Sequence, residues 1–216
     1  MAFPSRSSRA RPPRPDRLDS NQSGPDRKGP DRPRPDRKVQ KPVTAQYLEN
    51  AALYYLQRFA SSSSNLRRVL MGKVERSARA HGTDRAEGAA MIEALIERYE
   101  RSGLLDDKAY AEAKASSLHR RGTSTRAIRE KLNMKGVGGD EIAAALETVD
   151  EETPGDTEVA AAVALARRRR LGPFRMSARA EHRDKDLAAL GRAGFGYQIA
   201  RRVVDAEDID TIQDED

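Results

Sequence analysis

The sequence reads as an all-α protein, and three of its features say so. From Thr44 onward the apolar residues recur at helical spacing. No stretch alternates with period two for long enough to form a strand. The breaks between runs fall at Ser, Asp and Gly residues in the positions that cap helices.

Taken in order, Leu48, Ala52, Tyr55, Leu56 and Phe59 share the face of a first helix. The run Ser61–Ser64 with Asn65 interrupts it, and Leu66, Val69, Leu70 and Val74 resume the period. Asp84 with Glu87 resembles a capping box before Met91, Ile92, Leu95, Ile96 and Tyr99, and Gly103 offers the left-handed stop. Asp106 starts a helix carrying Tyr110, Ala111, Ala115 and Leu118, which Arg121-Gly122 closes. Thr123 or Ser124 caps a short helix with Ile128 and Leu132, ended by Gly136. Asp140 is expected to cap the next, with Ile142, Ala145, Leu146 and Val149. Thr153-Pro154-Gly155-Asp156 reads as a linker. Val159, Ala162, Val163 and Ala166 follow up to Arg170. Two last helices carry Leu187 with Leu190, then Ile199, Val203 and Val204.

The preceding segment differs in kind. Residues 1–42 hold nine of the eleven prolines, twelve Lys/Arg and five Asp, with a recurring Pro-Asp-Arg unit at 15–17, 25–27, 30–32 and 35–37. Too few apolar side chains offset the ordering entropy, so a disordered tail with local polyproline character is expected. The far end is the opposite: seven Asp/Glu and no base lie in residues 205–216. The overall charge of +6 therefore divides into a basic tail, a mildly basic body and an acidic end.

The body repeats itself. Leu132 and Gly136-Val137 are echoed 58 residues on by Leu190 and Gly194-Phe195, and Leu66 and Leu70 precede Ile128 and Leu132 by 62. The expected architecture is three tandem three-helix repeats in an elongated, curved array behind the tail. The boundaries read as a tail at 1–42, repeats at 43–103, 104–150 and 157–205, a linker at 151–156 and an acidic tail at 206–216.

Much chemistry is excluded. There is no Cys, hence no thiol nucleophile, disulfide or Cys-ligated metal. His81, His119 and His182 stand singly, without a second ligand at helical spacing. Gly136-Val137-Gly138-Gly139 has no strand before it to make a phosphate cradle, and Gly191-Arg192-Ala193-Gly194 lacks the sheet a KH module requires. No convergent set of catalytic side chains is visible, so neither an enzyme nor a cofactor is expected. No run reaches the roughly 18–20 apolar residues of a membrane span, and a cytoplasmic, monomeric protein is expected.

The informative residue is arginine. Arg167, Arg168, Arg169 and Arg170 end one helix and lead to Arg175. Arg121, Arg126, Arg129 and Lys135 form a second cluster, and Arg67, Arg68 and Lys73 a third. Cations in a last turn are favoured by the helix dipole, by about 0.3–1 kcal/mol each. Four in succession sweep right round a helix, which exceeds what capping needs. These twelve residues are read as a binding surface, for which phosphate backbones and an acidic protein face are equally suitable by charge.

The residues Leu104-Leu105-Asp106-Asp107-Lys108-Ala109-Tyr110-Ala111, Arg121-Gly122, Ile128-Arg129-Glu130-Lys131-Leu132 and Lys135-Gly136-Val137 resemble the RecX family of regulatory proteins. So do Ala166–Phe174 with its four arginines, and Lys185–Leu190 followed by Gly194-Phe195. The resemblance spans about residues 45–205, with Tyr110 where the family often has Phe. It implies three tandem three-helix repeats and a modulator of the RecA recombinase in DNA repair, recombination and the SOS response. Such a protein binds RecA and its DNA filament and suppresses ATPase, strand-exchange and coprotease activity, without a catalytic site. Weak direct DNA binding would accompany this. The alternative is a helical DNA-binding or nucleoid-associated protein with no recombinase partner.

Overall fold

A computed structural model describes residues 42–208 and Ile212. The expectations for residues 1–41 of the tail and for most of 206–216 lie outside these. Among the described residues there are nine α-helices and no strand. They are α1 (Ala45–Leu56), α2 (Ser63–His81), α3 (Arg85–Arg101), α4 (Asp107–Arg120), α5 (Thr125–Asn133), α6 (Gly139–Glu152), α7 (Thr157–Arg169), α8 (Arg179–Arg192) and α9 (Tyr197–Asp205). A single 3-10 turn, Gly172–Phe174, separates α7 from α8.

Short polar side chains set most helix starts. Thr44, Ser62, Asp84, Asp106, Ser124 and Asp156 each accept a hydrogen bond from a first-turn N–H. Caps of this kind stabilise a helix by about 1 kcal/mol each. The expected cap Asp140 is displaced: Gly138 occupies that position in α6, and Asp140 lies in the first turn, where its charge still complements the dipole. Phe59 also departs from expectation. α1 ends at Leu56 and the chain turns at Gln57–Arg58, so Phe59 leaves the apolar face and stands 56% exposed, its ring 5.2 Å from that of Tyr55.

Three apolar cores sit along the chain. α1–α3 enclose Leu48, Leu66, Leu70, Val74, Ile92 and Ile96. α4–α6 enclose Ala111, Ala115, Ile128, Leu132, Ile142 and Val149. α7–α9 enclose Leu165, Leu171, Leu190, Phe195 and Val203, and Ile212 from beyond α9 joins them. Leu70, Leu132 and Leu190 are all completely buried, each contributing about 1.5–3 kcal/mol by leaving water.

The first two trios are stitched forward by the same device. The Ser62 hydroxyl, which caps α2, donates to the carbonyl of Lys135 beyond α5, and the first N–H of α2, at Ser63, donates to Asp107 Oδ1 of α4 at 2.7 Å. One trio on, the Ser124 hydroxyl caps α5 and donates to the Ala193 carbonyl at 2.9 Å, and Thr125 N–H donates to Glu158 Oε1 of α7 at 2.6 Å. In both cases the start of a second helix is completed by the following trio. Gly122 tightens the second of these joints. Its φ is +74°, and a Cβ there would lie 2.4 Å from the Leu165 backbone nitrogen in α7.

The third trio closes on itself. Gly172, fifty residues after Gly122 and also left-handed, lies against Val204 of its own trio. Where Leu66 and Ile128 put apolar side chains, α8 puts Asp186, only 1% exposed. Asp186 accepts the Gly172 N–H at 2.9 Å and two bonds from Arg175, at 2.8 and 2.7 Å. Burial alone would raise its carboxyl. The Arg175 guanidinium and the Gly172 N–H outweigh burial and hold the group below the usual carboxylate range.

Candidate partner and nucleic-acid interface

The last turn of α7 carries Arg167, Arg168 and Arg169, and Arg170 ends the helix in the left-handed region at φ 56°. Their exposure follows from the packing. Leu165 and Ala166 face the core, and the next four side chains rotate out into solvent as the chain leaves α7. Arg167 lies over the Phe174 ring at 5.6 Å, a contact that steadies it without neutralising it. Arg168, Arg169 and Arg170 have no ion pair or side-chain hydrogen bond among the described residues. Their charge is free for an incoming anion.

Arg175 has a different environment. Two bonds to buried Asp186 bind its guanidinium into the fold, and the Asp186 carboxylate raises its pKa further. Arg179 and Arg183, beside it in sequence, are likewise engaged. Arg179 donates to the Val204 and Ala206 carbonyls, and Arg183 holds Asp205 through two bonds of 2.7 Å. Arg179 and Arg183 thus secure the end of α9.

In the second cluster Arg121 caps α4 and is exposed, as is Arg129 on α5. Arg126 pairs with Glu130 at 3.3 Å, one turn on, with both side chains largely in solvent. Such a pair contributes at most a few tenths of a kcal/mol, so a partner can displace it. In the first cluster Arg67 is committed to Glu93 through two bonds of 2.6 and 2.7 Å, and Glu93's bonded carboxylate raises the Arg67 pKa. Lys73 lies over the Tyr47 ring at 5.6 Å.

Two clusters distant in sequence meet. Arg68 of α2 and Lys135 beyond α5 both donate to the Asn65 side-chain oxygen, Lys135 at 3.4 Å. That oxygen is neutral, so the two cations stand side by side with no ion pair among the described residues. Sequence spacing gave no hint of this juxtaposition, because it arises from the Ser62–Lys135 joint.

Two of the three histidines are engaged with backbone carbonyls. His119 is buried with Nε2 against the Thr157 carbonyl at 2.8 Å, and His182 Nδ1 is bonded to the Ala178 carbonyl. Among the described residues no group of His, Asp or Glu is placed to hold a metal ion. No helix there is long and apolar enough to cross a membrane.

A family model described as the second three-helix domain of RecX matches residues 106–146. Over 88% of its length the chain is 46% identical to the regulatory protein RecX of Myxococcus xanthus (strain DK1622), 98% of which is covered. It is 33% identical to the regulatory protein RecX of Agrobacterium fabrum (strain C58), over 76% of this chain and 87% of that one. A third relative, the regulatory protein RecX of Thermobifida fusca (strain YX), is 32% identical over 56% of this chain and 65% of its own. No solved structure matches the chain significantly.

Proposed function

The chain belongs to the RecX family, and from that premise we propose that it is a non-enzymatic regulator that binds the RecA recombinase and its DNA filament in the cytoplasm. It restrains RecA's ATPase, strand exchange and coprotease activity. The observation that carries the residue-level reading is the free charge of Arg168, Arg169 and Arg170 at the end of α7, with Arg121 and Arg129 exposed on the neighbouring trio. A filament presents both acidic protein and phosphate at regular intervals, and three weak modules on one chain gain affinity by engaging it together.

Arg68 and Lys135 extend the same reading to the first joint, where their paired charge suits one phosphate or carboxylate. Arg67 and Arg175, which face Glu93 and Asp186, support the contact surface from behind. The chain acts as a monomer, and direct DNA contact is secondary.

A salt titration of DNA binding with and without RecA separates this from an autonomous DNA-binding protein. The expected result is weak binding to DNA alone and tight binding to RecA-coated DNA. Tight, steeply salt-dependent binding to bare DNA, unchanged by RecA, would favour the nucleoid-protein alternative.

A further inference from the structure

The arginine clusters leave one surface unexplained. Between the end of α1 and the start of α4 runs a groove of about 680 Å³, lined by Leu56, Phe59, Leu104 and Tyr110. Phe59 is 56% exposed and Leu104 49%, and Tyr54 on the adjoining turn of α1 is 58% exposed. Single exposed apolar residues are ordinary, but large side chains lining one concave site mark a contact surface. No element of the chain described by the structure fills this groove. Holding Phe59 and Leu104 about half in water leaves apolar surface that a partner could bury.

The rim selects the occupant. Arg58 stands over the Tyr54 ring at 4.4 Å, and Lys114 is exposed on α4 with no ion pair among the described residues. The one carboxylate lining the groove, Asp106, accepts the Ala109 N–H as the cap of α4. The rim therefore offers two available cations around an apolar floor. Residues from the first and second trios share it, so an occupant would touch both.

We propose that this groove is a docking site for a short acidic segment of the RecA partner, carrying one large apolar side chain that inserts between Phe59 and Leu104. The proposal rests on the RecA reading above. It divides the labour of binding: the arginine tract attracts over distance, and the groove holds by apolar burial, as buried anchors do at protein interfaces. The two contributions respond differently to salt, because screening weakens exposed charge pairs and leaves apolar burial intact.

The test measures affinity for RecA–DNA filaments at about 0.1 and about 0.5 M salt, using the full chain. Variants are Phe59→Glu with Leu104→Glu, a milder Phe59→Ser with Leu104→Ser, and Arg58→Glu with Lys114→Glu. Both groove pairs should keep the wild-type helical signal, since the altered side chains are about half exposed. They should weaken binding at least tenfold at both salts. The rim reversal should weaken binding several-fold at low salt only. If wild type does not bind RecA, the functional reading itself falls. If wild type binds and the folded Ser pair binds equally well, the groove proposal falls alone. Tighter binding by the rim reversal would mean a basic occupant and overturn the proposed chemistry. Two further outcomes would reassign the groove. One is a dimer of free wild type that the Ser pair dissolves, which means a second copy. The other is wild-type affinity that rises on deleting residues 1–41 while the Ser pair's does not, which means the chain's own N-terminal segment.

Discussion

The second helices of the first two trios and that of the third solve one problem in opposite ways. α2 and α5 begin against a following trio, which supplies a carbonyl to Ser62 or Ser124 and a carboxylate to the first N–H. α8 draws on its own trio instead. Its core position is taken by Asp186, which draws Arg175 and Gly172 back onto the same trio, and Ile212 adds an apolar side chain from beyond α9. What α2 and α5 take from a neighbouring trio, the third trio supplies from its own residues. It does so with an ion pair whose carboxylate is buried.

That contrast can be broken first at Gly122. Gly122→Ala places a Cβ against the α7 backbone and forces a side chain into the left-handed region, so a loss on the order of 3 kcal/mol or more is expected. Denaturant unfolding would measure it. A midpoint near wild type would mean that the joint opens easily and that the trios are only loosely coupled.

Leu132→Ala should cost about 2–5 kcal/mol, with Leu70→Ala and Leu190→Ala in the same range, because all three side chains are fully buried. Markedly unequal losses would dissolve the equivalence of the three sites. Asp186→Ala should cost about 3 kcal/mol, leaving Arg175 and the Gly172 N–H without their acceptor. Because the folded carboxyl sits below its ordinary value of about 3.9, its contribution is complete above that pH and disappears as pH falls through the folded value. The stability gap between wild type and Asp186→Asn should therefore narrow in acid. A gap that stays constant down to about pH 2 would show that the charge of Asp186 contributes nothing.

Smaller and more telling are Ser62→Ala and Ser124→Ala. Each removes a helix cap and a forward bond, for about 1–2 kcal/mol, and thermal unfolding should place the two losses close together. If only one of them matters, the two joints are not the same device.

Most of this architecture was visible in the sequence for a physical reason. Core leucines on a regular helix announce themselves by period, and Ser, Asp and Gly mark the ends. What the period could not show was polar and long-range. Asp186 carries no apolar signal, and its burial depends on Arg175, eleven residues away and just past a 3-10 turn. Phe59 satisfied the helical spacing, but the helix had already ended. Arg175 read as one more free cation, and the structure pairs it with Asp186. The four consecutive arginines were legible as a cluster, and the structure adds that three of them face solvent without an ion pair among the described residues.

The most direct measurement is RecA's DNA-dependent ATPase rate against rising amounts of wild-type protein and of an Arg168→Glu, Arg169→Glu variant, with Arg175 left intact. Both side chains are exposed and have no ion pair among the described residues, so the variant's stability should stay within about 0.5 kcal/mol of wild type. Wild type should suppress the ATPase, the variant should need at least tenfold more protein, and raising salt should bring wild type toward the variant. A folded variant that suppresses RecA as well as wild type, or a wild type that leaves the rate untouched, would contradict a RecA regulator acting through the free arginines of α7.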